Sequence, residues 1–355
     1  MSSNSARPGM LGAVCAIPIH PGRTIVLGHG SGGKLSSELL RSVFLPAFAN
    51  DVLDRLDDQA VVEVGSSRLA FTTDAFVVTP LFFPGGDIGK LAVHGTVNDL
   101  AMSGARPFYL AAAFILEEGL DIDELERVVA SMRTAAQEAG VQLVTGDTKV
   151  VERGKGDKLF ITTTGIGVID PALQISADHA RPGDKIILSG TIGDHGMAIL
   201  STREGLEFEG GIQSDTASLN GLVAEILKAS RDVHAMRDPT RGGLATTLNE
   251  IAGQSKVGIL IEQQSIPVRE AVQGACEILG LDPLYVANEG KLVAFVAPGA
   301  ADPILEAMRR HPLGTEACMI GEVAAEPAGM VLMKTDVGGT RVVDTLFGEQ
   351  LPRIC

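Results

Sequence analysis

Between residues 122 and 139, Ile122, Leu125, Val128, Val129, Met132 and Ala136 recur at a 3.6-residue period, which places them on one face of a helix. Asp121 suits an N-cap and Gly140 a C-terminal stop, so a helix is predicted over 122–139. Shorter runs rich in β-branched and aromatic residues predict strands at 68–73, 141–144 and 158–168. A helix over about 88–103 opens after Gly85-Gly86-Asp87 and stops at Gly104. Beyond residue 184, strands at 185–189, 257–262, 291–297, 318–323 and 330–334 interleave with helices near 217–229, 242–252, 268–279 and 301–310. That interleaving predicts an α/β chain with mixed layers. The turn cluster Arg181-Pro182-Gly183-Asp184 marks the junction of two blocks.

The 355 residues leave room for two domains with substantial cores, and 45% apolar with 21% charged residues describes a globular chain. A net charge of −15 argues against nucleic acid or an anionic membrane as the main partner. It does not prevent phosphate binding, which glycine loops and a divalent cation can support locally. Cys15, Cys276, Cys318 and Cys355 form no CxxC pair and no zinc-like spacing, which fits a reducing, cytoplasmic compartment. The apolar stretch 10–19 is too short to span a bilayer and poorly flanked for a signal peptide. Residues 1–22 are expected to form a mobile extension, 23–180 and 181–340 two domains, and 341–355 a mobile tail.

Several segments carry chemistry. In Gly28-His29-Gly30-Ser31-Gly32-Gly33-Lys34 the glycines let backbone N–H groups approach an anion and Lys34 adds charge, though a plain flexible loop reads equally well. Asp58, Asp74, Asp99 and Asp147 fall where strands end or helices run, and gathered carboxylates suit Mg²⁺. Each taken singly also reads as a turn or helix cap. Asp99 is the exception, set mid-helix among Val97, Leu100 and Ala101. Arg237-Asp238-Pro239-Thr240-Arg241-Gly242-Gly243 leads into a helix whose N-terminus can hold an anion or simply be a capped turn. Glu289 sits in the loop Ala287-Asn288-Glu289-Gly290-Lys291. The chain ends Pro352-Arg353-Ile354-Cys355, a thiol at the tip of a potential swinging arm; a prenylation signal would need the cysteine fourth from the end.

Together these residues resemble the HypE family of hydrogenase maturation proteins, in the superfamily of aminoimidazole ribonucleotide synthetase and selenophosphate synthetase. The resemblance is carried by GHGSGGKLS (28–36), LDDQAVV (56–62), the stretch 71–107 with GGDIGKLAVHGTVNDLAMSGA at its centre, VTGDTKVV (144–151), DPTRGGLATTLNEIA (238–252), ANEGKL (287–292) and the terminal PRIC. It covers nearly all of 24–355. It implies a two-domain PurM-like fold, with an ATP-binding N-terminal domain that pairs with its twin in a homodimer and a C-terminal α/β domain. The implied reaction is ATP-dependent dehydration of a carboxamide on Cys355 to a thiocyanate, the source of cyanide ligands for [NiFe] hydrogenase iron. A HypF-like carbamoyltransferase would load the thiol and an iron-bearing HypC/HypD-like scaffold would take the cyanide. His29, Gly30, Gly32, Gly33, Lys34, Asn98, Asp238, Thr240 and Arg241 would then bind ATP, Asp58, Asp74, Asp99 and Asp147 would hold Mg²⁺, and Glu289 and Lys149 are candidate bases. Two rivals stay open on the sequence. One is a selenophosphate or ribonucleotide synthetase acting on a diffusible substrate, and the other is a non-catalytic scaffold that docks a partner through Cys355.

Overall fold

The computed structural model describes residues 24–208, 210–346 and 353–355; the expected extension 1–22 lies outside them. The first sheet contains β1 (Ala60–Val64), β2 (Ser67–Phe76), β3 (Arg106–Glu117), β4 (Gln142–Val151) and β5 (Leu159–Ile169), in the order β1-β2-β5-β3-β4. β3 and β4 run parallel, and the other neighbours are antiparallel. Helix α1 (Ile88–Met102) lies on β2 and β5, and α2 (Ile122–Ala139) packs on α1. α1 is enclosed on all sides, with Ile88, Leu91, Val93, Val97 and Leu100 fully buried, so it lacks the polar stripe of a surface helix. Asp87 caps it by accepting from the N–H groups of Gly89 and Lys90 at 2.8 and 3.1 Å.

α2 occupies the predicted span, but its buried face is Val128, Met132, Ala135, Ala136 and Ala139, while Ile122 and Val129 are exposed. β4 runs on from the predicted 141–144 to Val151 as an edge strand, and nearly all of it is exposed. The face of this sheet opposite α1 also presents apolar side chains, among them Phe71, Tyr109, Val144 and Val168.

The second sheet holds β6 (Lys185–Leu188), β7 (Val233–Arg237), β8 (Gly258–Glu262), β9 (Val293–Val296), β10 (Cys318–Ala324), β11 (Val331–Lys334) and β12 (Thr340–Val343), in the order β12-β11-β8-β10-β6-β9-β7. Helix α3 (Asp194–Glu204) follows β6. Helix α5 (Gly243–Ser255) covers one face, where Leu244, Leu248 and Ile251 meet Ile186, Val293 and Phe295. Helices α4 (Asn220–Ala229) and α7 (Ala301–Arg310) cover the other, burying Leu222, Ile226, Ile304 and Met308 against Ile187, Ala294 and Val296. α6 (Glu270–Leu279) packs with α3 and adds Val272, Ala275 and Cys276 to a core shared with the first sheet's helices. Among the described residues, no helix is long and apolar enough to cross a membrane.

The two blocks are joined by specific polar contacts. Asn98 of α1 accepts from Leu219 N–H at 2.8 Å and donates to the carbonyl of Ala217 at 3.0 Å. Asp57 accepts from Ser176 Oγ and Ala177 N–H at 2.9 and 2.8 Å, fastening the connection that leads into the second block.

The sequence reading expected a free arm over 341–355. Residues 340–343 instead form β12, paired with β11, and residues 353–355 are packed, with Ile354 and Cys355 inside the core shared by both blocks. Residues 347–352, the middle of the expected tail, lie outside the described residues.

Candidate active site

Where β2 and α1 of the first block meet β7 and α5 of the second, the chain leaves a cleft of about 350 Å³, a size suited to small-molecule sites. β2 brings Asp74, α1 brings Asp99, and the loop entering β1 brings Asp58. β7 ends in Arg237, and Asp238, Thr240 and Arg241 follow in the turn that opens α5. The loop before β9 contributes Glu289, and Cys355 closes the lining from the chain terminus.

These side chains are held by strong local contacts. Arg237 Nε bonds Asp58 Oδ1 at 2.9 Å and its Nη2 reaches Glu250 of α5 at 3.1 Å. Thr72 Oγ1 donates to Asp99 Oδ2 at 2.9 Å, and Ala75 N–H donates to Asp74 Oδ1 at 2.9 Å. Glu289 is fixed through its backbone: its N–H bonds Asp215 Oδ1 at 3.0 Å, and Lys291 pairs with the same carboxylate at 3.2 Å. Gly290 is required there, because a Cβ would fall 1.8 Å from the Asp215 carbonyl oxygen. Gly32, at φ +77°, lets the glycine loop lie against Arg241, where a Cβ would meet the Arg241 carbonyl oxygen at 2.9 Å.

So many acids sharing one dry cleft resist ionisation. Burial drives Asp58, Asp99 and Glu289 well above the usual carboxylate range, with neighbouring carboxylates adding to it and Arg237 or Arg241 opposing for Asp58 and Glu289. Asp74 is raised by burial and pulled back by Arg241. Burial raises Asp238 to about 6. Burial also pushes the Cys355 thiol up to about 12, against the pull of Arg241. Asp238 Oδ2 and Glu289 Oε1 are buried with no hydrogen-bond partner, an expensive arrangement that a cation or a ligand donor would relieve.

Of the residues expected from the sequence, His29, Gly30, Gly32, Asp58, Asp74, Asp99, Asp238, Thr240, Arg241, Glu289 and Cys355 all line this cleft. Four side chains do not, nor does Gly33, which caps the short helix Lys34–Leu39. Lys34 turns its ammonium to Asp344 at 2.6 Å, because the start of that helix is tied to the chain after β12 by Lys34 N–H donating to Leu346 O at 2.8 Å. Asn98 uses its amide to clamp the two blocks. Asp147 and Lys149 are two residues apart on β4, share one face, and bond each other at 2.6 Å in solvent. Among the described residues no three His, Cys, Asp or Glu side chains form a ready cage for a metal ion.

Arg237 opens a motif noted in the sequence but was given no site role, and Glu250 falls inside the 238–252 stretch without being singled out.

A fold of two unlike α/β blocks with an acid-lined cleft at their seam defines a class. Its description is AIR synthase related protein: the N-terminal domain model matches residues 56–169 and the C-terminal domain model residues 181–334. The chain is 59% identical over 332 residues to the carbamoyl dehydratase HypE of Azotobacter vinelandii, covering 94% of this chain and 97% of that one. Among solved structures, HypE in complex with ATP aligns with a TM-score of 0.78 at 55% identity, over 94% of this chain and 100% of that one. A HypE–HypF complex aligns with a TM-score of 0.83 at 48% identity, over 87% and 99%. The chain belongs to the HypE family.

Proposed function

We propose that this chain is an ATP-dependent carbamoyl dehydratase that converts a carboxamide carried on Cys355 to a thiocyanate and so supplies cyanide for hydrogenase iron. The observation that carries the reading is the place of Cys355: the last residue of the chain lines a cleft beside Arg241, Asp74 and Glu289. A synthetase for a diffusible substrate would have no use for a thiol in that cleft.

The reaction balances as S-carboxamide plus ATP giving S-cyanate, ADP, phosphate and a proton. The amide oxygen attacks the γ-phosphorus, ADP leaves, and loss of one N–H proton gives an imidate phosphate. Loss of the second N–H proton then expels phosphate as the C≡N bond forms. Such a transfer depends on positioning and charge neutralisation. Arg241, the N–H groups of the glycine loop with His29, Gly30 and Gly32, and the turn of Asp238 and Thr240 are the proposed phosphate cradle. Glu289, which lines the cleft with an unpartnered oxygen, is the proposed acceptor of an N–H proton. The docked thiol, held protonated, is a poor nucleophile. Carbamoyl acceptance therefore belongs to a tail conformation outside the cleft, where a HypF-like carbamoyltransferase loads the sulfur and a HypC/HypD-like scaffold later receives the cyanide. A reducing cytoplasm keeps that thiol free.

The donor set fits Mg²⁺. Asp58, Asp74 and Asp99 offer hard oxygens, and Mg²⁺ commonly takes one or two carboxylates with substrate phosphates completing its shell. When bound, it would neutralise phosphate charge. We further assign residues 23–180 to ATP binding and dimerisation and 181–340 to the second domain. The uncovered apolar sheet face and the exposed edge strand β4 support a homodimer through the first sheet. A subunit boundary there is the route by which Asp147 and Lys149 of a second copy could reach the cleft.

Mass spectrometry of the carbamoylated chain tests this. With ATP, the Cys355 peptide should lose one water in the wild type and retain the carboxamide mass in Glu289→Gln. Water loss from Glu289→Gln at the wild-type rate would refute the role of Glu289, and no water loss in the wild type would refute the activity.

A further inference from the structure

The terminal three residues are held far more specifically than a loose end. Val77 N–H donates to the Cys355 main-chain oxygen at 3.0 Å and Thr79 N–H to the Arg353 carbonyl at 3.4 Å. This adds the tail in antiparallel sense to the segment that follows β2, three residues beyond Asp74. His195 Nε2 bonds the Ile354 carbonyl at 2.6 Å, and Arg203 donates to the carbonyls of Thr79 and Arg353. Arg353 itself, at φ 54°, turns its guanidinium onto Val77 O at 3.1 Å, Thr79 Oγ1 at 3.1 Å and Asp157. Asp157, in the loop between β4 and β5, also accepts from Thr79 Oγ1 at 2.7 Å.

Two ladder bonds do not by themselves fix register, and a one-residue slip would turn every tail side chain to the opposite face. The Arg353 fork discriminates between registers because it meets a fixed carboxylate, and it acts alongside the His195 bond to the Ile354 carbonyl and the burial of Ile354 and Cys355. We propose that Asp157 is a positioning residue: acting through Arg353, it sets the register of the docked tail and thereby the place of the Cys355 sulfur in the cleft. The ion pair lies at the rim, with side chains 34% and 39% exposed. It is therefore open to competition by salt and by partners, while Ile354 and Cys355 beneath it are nearly sealed. The rim pair is thus a releasable latch on an otherwise dry dock. This rests on the reading of Cys355 as the acceptor thiol, but docking is measurable without ATP or a carbamoyl donor, so either idea can fail alone.

The test is the rate of Cys355 alkylation by iodoacetamide in the full-length chain, read peptide by peptide with mass spectrometry. Docked sulfur is shielded, so the rate reports the undocked fraction. Asp157→Asn should speed Cys355 labelling about threefold to fivefold, the scale of a partly exposed ion pair. Wild-type labelling should rise with added salt, Asp157→Asn should show a flattened salt dependence, and Asp157→Glu should restore much of the protection. Cys276, fully buried in the same core, should label equally slowly in all variants. A Cys355 rate in Asp157→Asn at or below wild type would overturn the proposal. So would a parallel rise at Cys276, which would mark general loosening instead of tail release.

Discussion

Replacing Arg237 with Met keeps much of the side-chain volume and removes the cation that faces Asp58 and Glu250. Arg237 and Asp58 side chains are only 13% and 14% exposed, so solvent cannot replace the lost partner. Removing one member of a buried pair costs about 3–5 kcal/mol, a large share of the roughly 5–15 kcal/mol that holds a typical protein folded. A double-mutant cycle with Asp58→Asn should return part of that, with a coupling energy of about 2 kcal/mol. The pH dependence has a definite sign. Asp58 and Asp238 have folded pKa values above their unfolded ones, so their contribution is most favourable in acid and is lost as pH rises through the folded pKa, about 6 for Asp238. Without Arg237 these groups bind protons still more readily. The cost of Arg237→Met should therefore shrink as pH is lowered from about 7.5 toward about 5. Urea unfolding followed by far-ultraviolet circular dichroism is the assay, since the chain has no Trp and two Tyr. A cost below about 1 kcal/mol, strict additivity with Asp58→Asn, or a cost independent of pH would each refute the reasoning.

Other perturbations separate the parts of the site. Gly290→Ala should cut dehydration at least tenfold by displacing Glu289 from its place over Asp215, whereas Gly253→Ala, in α5 with open space for a Cβ, should be neutral or stabilise by up to about 1 kcal/mol; equal effects in activity and urea titration would argue against the close-approach account. His94 is buried, bonds Thr216 Oγ1 at 3.1 Å, and burial lowers its pKa to about 3. Its unfolded form takes up a proton below about 6.5 and its folded form does not, so stability falls on acidification between those values. In His94→Gln that part of the acid sensitivity should vanish from the pH profile of urea midpoints; an unchanged slope would count against it.

Most elements were legible in the sequence because their signals are local. The period of 122–139, its cap at Asp121 and its stop at Gly140 depend only on neighbours along the chain, and the helix spans the predicted residues. The interleaved strands and helices after residue 184 follow for the same reason. β1, β3, β7 and β12 were not predicted: they are short, or apolar without alternation, and are set by the strands they pair with; α3 was not predicted either. Which acids would cluster was also partly readable, since Asp58, Asp74 and Asp99 each sit at an element end or an anomalous buried position. What only the tertiary structure decided is which side chains face one another. Lys34 looked like a phosphate ligand from its glycine loop, yet it pairs with Asp344, which lies 310 residues away along the chain. Asp147 and Lys149 read as site residues from their motif, yet they sit on an exposed edge strand away from the cleft of the same chain. The terminal cysteine read as a free tip, yet His195, Arg203 and Asp157 hold its last three residues in place. Local periodicity reports the energy of a segment with itself. Register across a seam, burial of a charge and the docking of a chain end are energies between segments far apart in sequence, and they exist only once the fold has brought those segments together.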